Sequence, residues 1–489
     1  MKQAALALAL ALPFVGHAAI AADFDLCVRG TNLDETRTLH LKLTVDGADA
    51  AAFAPQLGAA LANERIWNRA ARKVYGSAYD QDLCGEAVAE EQSLHVTLTD
   101  EQARALAAEA TRGADDGLLS VIERVLGVAP AVAPPVPAAP EANAQPDAEG
   151  KEPYRVMRVF YATDRRATAS AVPDEHFGGE RGTLVLGVAN VTIPAIHKRG
   201  SMESPSILRL ELRADPNKHI LLQSLRALDM NDWRAEVARQ AVGLSNPGIL
   251  VFIHGYNTSF ADAACRAGQL AYDLNFAGAT VVFSWPSRAT LSEYTFDEQN
   301  AEWAISDMKT VLGALATLAP GTPIYLIAHS MGNRVLTRGY KELIDEDRTK
   351  RRAFKQLVLA APDLDADVFR REIAPSILGH GPRVTLYASS NDKALMASRD
   401  VHGGYRRLGE SGKDIVVMPD LDTVDASLAS TDFLGHGYFA ESEGVVLDIK
   451  HLIHESSRPQ DRERFSLEPV RDLAIGLYWR IRSQLQPAP

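Results

Sequence analysis

Residues 324–332 read Ile324-Tyr325-Leu326-Ile327-Ala328-His329-Ser330-Met331-Gly332, an apolar strand-like run leading straight into small-x-Ser-x-Gly. This is the pattern of a nucleophile elbow, with Ala328 where the first glycine usually stands. A serine on so sharp a strand-to-helix turn has small residues two places before and after it, because strand and helix cross closely there. Alanine adds only a methyl group, so the pattern tolerates Ala328. The pattern gains meaning only if the flanking chain supplies an oxyanion loop, an acid and a histidine in the right order.

Working outward, each part has a candidate. Upstream, Ile249–Ile253 is a second apolar strand, followed by His254-Gly255-Tyr256-Asn257 and a helix start near Ser259. A loop in that position donates one backbone N–H to a developing oxyanion, and the residue after the nucleophile donates another. These donors are the amides of Tyr256 and Met331. Downstream, two aspartates follow strand-like runs: Asp363 after Gln356–Ala361, and Asp392 after Arg383–Ala388. Asp392 is the favoured acid because it ends the second strand past the elbow. Asp363 is the alternative acid, and Asp363 or Asp365 equally suits the cap of a following helix. Of His380, His402, His436, His451 and His454, only His436 lies in a glycine-flanked loop beyond the last expected strand, Asp414–Met418. His329 leaves the turn in the wrong direction for a base and is expected to pack near the elbow. The order Ser330, Asp392, His436 suits acyl transfer: histidine takes the serine proton and aspartate holds the imidazole. Trp285 and Tyr294 are candidates for the pocket wall, Trp285 equally for the core. No metal-ligand spacing, phosphate-binding glycine loop or dinucleotide fingerprint appears, so neither metal nor cofactor is expected.

From Tyr154 onward strands alternate with helical stretches (Ser259–Phe276, Glu298–Leu318, Asn333–Asp345, Asp365–Ile377), which signals an α/β sheet. Residues 154–440 resemble the bacterial esterase/lipase-superfamily α/β-hydrolases long known as a domain of unknown function. The resemblance rests on Val159-Phe-Tyr-Ala-Thr-Asp164-Arg165, Val251-Phe-Ile-His-Gly-Tyr-Asn257, Phe283-Ser-Trp-Pro-Ser287-Arg288, Ala328-His-Ser330-Met-Gly332, Ala361-Pro-Asp363-Leu-Asp365, Ser390-Asn-Asp392-Lys-Ala-Leu395 and Gly435-His436-Gly-Tyr-Phe439. It implies an α/β-hydrolase fold, a mostly parallel sheet with helices on both faces, and hydrolysis of a small-molecule or lipid ester. Amide, thioester and acyl-transfer chemistry use the same triad. A non-catalytic envelope-binding protein on a hydrolase scaffold is the competing class.

The amino-terminal part has a different character. Residues 1–22 read as a signal peptide, with Lys2, an apolar run over Ala4–Val15 and the small residues Ala18–Ala22, which places the protein in the periplasm or outside the cell. Residues 23–127 form a small α+β domain, with strands at Thr38–Val45 and Leu94–Leu98, a helix over Ala50–Tyr75 and a second helix opening at Thr99. This segment holds 18 Asp and Glu against 10 Lys and Arg, 18 − 10 giving −8 of the chain's −12. Such a balance argues against a nucleic-acid partner and leaves a cell-envelope partner for residues 23–127. Residues 128–152 are a Pro/Ala-rich linker, and 153–489 the catalytic domain. No stretch is long and apolar enough for a transmembrane segment. In an oxidising compartment Cys27 and Cys84 are placed to pair, while Cys265 reads as a buried apolar residue. Peptide mapping of the non-reduced protein is expected to recover a Cys27–Cys84 bridge; a free thiol at Cys27 sinks it.

Overall fold

Strand propensity and apolar patterning resolve into two compact units, residues 1–138 with 204–214, and residues 139–203 with 215–489. The computed structural model describes residues 153–204, 214–242, 247–288, 294–318, 321–429, 442–463 and 465–482. Amino-terminal to these it describes 20–29, 36–45, 93–98, 104, 107 and 108.

In the first unit, β1 (Ile20–Arg29) lies antiparallel to β2 (Thr36–Val45), and β2 lies parallel to β3 (Ser93–Leu98). The register sets apolar against apolar, Leu26 opposite Leu39 and Phe24 opposite Leu41. Strand β1 was not expected. Its alternation is interleaved with Asp23 and Asp25, and it begins inside the alanine-rich stretch read as a leader. The helix expected over 50–75, and Cys84, lie outside the described residues.

The second unit carries an 11-stranded sheet. Its strands are β4 (Tyr154–Ala167), β5 (Phe177–Pro194), β6 (Leu221–Leu228), β7 (Ile249–Ile253), β8 (Ala279–Ser284) and β9 (Ile324–His329). They continue with β10 (Phe354–Ala360), β11 (Arg383–Ala388), β12 (Leu421–Asp425), β13 (Leu467–Asp472) and β14 (Gly476–Ile481). The order across the sheet is β13-β14-β12-β11-β10-β9-β7-β8-β4-β5-β6. The strands from β14 to β4 in that order run parallel, and β5, β6 and β13 pair antiparallel at the margins. Strand β7 shows why the central runs are continuously apolar. Ile249, Val251 and Ile253 enter one core cluster, Leu250 and Phe252 the other. Each such buried side chain contributes roughly 1.5–3 kcal/mol of transfer free energy.

Helices cover both faces. On one side pack α1 (Met230–Val242), α3 (Tyr294–Trp303), α4 (Ile305–Ala316) and α5 (Gly332–Glu346); on the other, α2 (Phe260–Asp273) and α7 (Glu443–Glu455). Helix α6 (Lys393–Val401) follows β11. The single helix expected over Glu298–Leu318 is two helices meeting at Ala304. Among the described residues no helix is long and apolar enough to cross a membrane.

One strand was misplaced. Residues 414–418 end a 3-10 turn and run on as irregular chain, and the parallel strand here is Leu421–Asp425. Ile415 and Val416 are buried all the same, so their apolarity reflects core cover rather than sheet pairing. The turn before β12 has Asp420 at φ 62, a left-handed position that Asp tolerates better than most residues.

Between β5 and α2, the side chain of His197 is 1% exposed, its Nδ1 2.7 Å from Glu203 and its Nε2 2.8 Å from Asp273. Burial opposes its charge, but the two carboxylates win and lift its pKa from 6.5 to about 9. A raised folded-state pKa means the contribution is complete below 6.5 and is lost as pH rises through about 9. Wild type is therefore expected to lose up to ~3 kcal/mol over that window by urea unfolding. His197→Gln should show a flatter pH dependence; parallel profiles would contradict the pairing.

Candidate active site

The parallel order turns back on itself between β7 and β9. From β7 the chain goes outward to β8 and returns to β9 on the other side, so their carboxyl ends lie at a topological switch point, the usual place for a ligand in such sheets. Both β7 and β9 end there, in the His254 loop and in Ser330. Ser330 has φ 50, a left-handed backbone costing about 1–3 kcal/mol in a non-glycine residue. The surroundings hold it there. Its N–H donates to Ala360 O at 3.0 Å, and its carbonyl accepts from the N–H groups of Asn333 at 3.1 Å and Asp363 at 3.2 Å. The Asn333 amide adds bonds to the carbonyls of Ala328, Ser330 and Ala360 at 3.2, 3.0 and 3.2 Å. Asn333 had no sequence signal beyond being the first polar residue of the helix.

The small residues of the pattern have separate causes. A Cβ on Gly332 would lie 2.3 Å from His254 O, and one on Gly255 would lie 2.8 Å from Ser330 Cβ and 2.9 Å from His329 Nδ1. The loop after β7 is therefore pressed against the elbow, and His329 packs on Gly255 as expected. Met331 is buried at the N-terminus of α5, where the first amides have no acceptor within the helix and the dipole favours negative charge.

Residues 232–455 match the family model described as an alpha/beta hydrolase of unknown function. An uncharacterized protein of Nostoc sp. is 22% identical over 308 residues, covering 46% of this chain and 79% of its own length. The carboxy-terminal unit has the α/β-hydrolase fold.

This unit holds the His254-Gly255-Tyr256-Asn257 loop on a buried polar frame. Arg165, fully buried, spends its N–H groups on neutral acceptors. Nε bonds Ser284 Oγ at 2.9 Å, Nη1 bonds Gly178 O at 3.1 Å and Ser287 O at 2.8 Å, and Nη2 bonds Thr258 O at 2.7 Å and His254 Nε2 at 3.3 Å. Burial pulls its pKa from 12.5 to about 10. Burial, then the Arg165 charge, pushes His254 well below the usual histidine range. His254 is thus neutral, and its contacts assign the proton to Nδ1, 2.7 Å from Gly255 O, leaving Nε2 to accept. Trp285 is fully buried, stacks on His254 at 5.0 Å and donates Nε1 to His254 O at 2.8 Å. It belongs to the core beneath the loop rather than to a pocket wall. The motif containing Arg165 was legible; its role was not.

The two acid candidates end adjacent strands. Asp363 is buried, and its carboxylate accepts from Arg407 Nε at 2.7 Å, Ser398 Oγ at 2.7 Å and the Tyr294 hydroxyl. Burial would raise its pKa, but the Arg407 and Arg334 charges hold it below the usual carboxylate value. Tyr294 also packs edge-on against Tyr256 at 5.4 Å, placing it beside the loop after β7. Asp392 is 1% exposed and caps α6, accepting from Leu395 N–H at 3.0 Å. Its loop is tied to the chain leaving β12. Ser390 N–H bonds Ser427 Oγ at 2.8 Å, and Asn391 Nδ2 bonds Ser427 O at 2.8 Å. Asp365 caps the turn after it, through the N–H groups of Asp367 and Val368 at 2.9 Å. His436 lies outside the described residues.

The crowding at Gly332 gives a direct test. Gly332→Ala forces backbone apart and is expected to cost about 1–3 kcal/mol, read as a lower urea midpoint. Ala328→Gly, which removes one buried methyl group, should cost ~1 kcal/mol. Equal costs would show that the two positions share one constraint.

Proposed function

We propose that the protein is an exported serine hydrolase that cleaves carboxylic esters through an acyl-enzyme. The observation that carries this is Ser330, a serine at φ 50 where β9 meets α5, with Gly255 pressed against it and an acid at the end of each of the next two strands. His436 removes the Ser330 proton as Oγ attacks the ester carbonyl, then passes it to the leaving alcohol; water repeats the cycle on the acyl-enzyme. Asp392 orients the imidazole and stabilises its charged form. The N–H groups of Tyr256 and Met331 bind the oxyanion, each lowering the barrier by roughly 3 kcal/mol. Two contacts favour Asp392 over Asp363: the Asp363 carboxylate is taken by Arg407, Ser398 and Tyr294, and the Asp392 loop is stitched to Ser427, which precedes His436 in the sequence. The leader read in residues 1–22 puts this chemistry in the periplasm or outside the cell, with residues 23–127 facing an envelope partner.

A fluorophosphonate probe is expected to label wild type and not Ser330→Ala; an unlabelled wild type, or equal labelling of the variant, removes the reading. Para-nitrophenyl esters of graded length then give the acyl preference. Asp392→Asn should lower kcat by about 10³–10⁴. If Asp392→Asn keeps its activity while Asp363→Asn loses it, the acid is Asp363.

A further inference from the structure

Helix α3 reaches the loops after β7, β8 and β10, helix α5 and the chain after α6. Tyr294 bonds Asp363 beyond β10, Glu298 meets Arg334 of α5 and His402 beyond α6, and Asn300 Nδ2 bonds Pro286 O at 2.6 Å beyond β8. Between them sits Asp297, fully buried. Its Oδ2 accepts from Asn257 N–H at 3.2 Å and from Ser287 Oγ at 2.5 Å, and its Oδ1 from Arg288 N–H at 2.8 Å. Ser287 Oγ in turn accepts from Thr258 N–H at 3.1 Å. Asp297 thus controls two successive amides of the oxyanion loop, one directly and one through Ser287.

The opposite charge holds the same segment by its carbonyl, since Arg165 Nη2 donates to Thr258 O at 2.7 Å. Within the loop, Thr258 Oγ1 donates to Tyr256 O at 3.1 Å. The peptide joining Tyr256 to Asn257 is therefore fixed at both ends, its N–H by Asp297 and its C=O by Thr258. Asn257 needs that hold, because it sits at φ 56, where a non-glycine residue is strained.

We propose that Asp297 is a positioning residue of the oxyanion hole, fixing the Tyr256–Asn257 peptide and so the adjoining Gly255–Tyr256 peptide, whose C=O His254 holds and whose Tyr256 N–H points at the carbonyl oxygen of an ester attacked by Ser330. The proposal rests on reading Ser330 as the nucleophile. Asp297 touches no reacting atom; it acts through the loop. Asparagine at this position keeps the shape but offers one acceptor and one donor, so either the Asn257 side or the Arg288 side meets an N–H it cannot bond.

Asp297→Asn is therefore expected to lower kcat by about 10- to 100-fold, less than the full loss of an oxyanion donor, with KM within about twofold because the ground state is bound elsewhere. The second-order rate of fluorophosphonate labelling should fall in parallel, since the phosphonyl oxygen uses the same hole. Asn300→Ala is the control. It loosens the same helix without touching the oxyanion loop, and should lower Tm while leaving kcat near wild type. If Asp297→Asn does not accumulate as folded protein, Ser287→Ala carries the test, with a several-fold loss of kcat at unchanged KM expected. The inference is overturned by a folded Asp297→Asn with wild-type kcat and labelling rate, by a rise in KM alone, or by an equal loss of kcat in Asn300→Ala. A wild type that is never labelled removes the hydrolase reading and this inference together. A labelled wild type with an unaffected Asp297→Asn removes this inference alone.

Discussion

The second unit is organised by a backbone-to-backbone approach, the first turn of α5 lying against the end of β7 with room at Gly332 for a hydrogen and nothing larger. That contact fixes how far β9 must turn before the helix starts, and so the left-handed conformation of Ser330. It brings Gly255 against the serine and sets the N-terminus of α5 beside it. Asn333 then answers a problem the contact creates. Three strand-end carbonyls converge where the sheet stops, and one side-chain amide serves all of them.

Charge is handled with similar economy under the site. Arg165 is buried with no carboxylate among its hydrogen-bond partners, so its charge is spread over carbonyls, hydroxyls and one neutral imidazole. The adjacent residue, Asp164, is buried with no hydrogen-bond partner on either oxygen among the described residues, and burial lifts its pKa to about 7. Elsewhere the hydrolase pairs its buried ions directly, Arg407 with Asp363 and Arg462 with Asp448. Removing one member of such a pair strands the other, which is far more costly than never having buried either.

The parts legible in the sequence were those set by local chemistry. A serine between small residues after an apolar run, a His-Gly-Tyr-Asn turn after another, and aspartates at strand ends all carry their meaning within ten residues. The fold class followed from alternating runs that are apolar on both faces. The misreadings came from features that only tertiary packing decides. Ile415 and Val416 have strand-like apolarity but cover the core, while Leu421–Asp425, with an aspartate at two of its five positions, is the strand. The β13–β14 hairpin went unseen because its sequence is polar enough for a margin. Arg165, Asn333 and Asp297 are scattered over some 170 positions, and nothing in spacing announces that two of them hold one loop from opposite sides.

The crowding around the elbow also bears on how such chains are found. The downstream glycine is limited by backbone at the end of the facing strand, which has nowhere to go, whereas the upstream site already holds a methyl group buried in the core. The two halves of the motif thus carry unequal information. A search that demands glycine on both sides of the serine discards this protein; one that weights the downstream glycine heavily and lets the upstream site vary among small residues retains it.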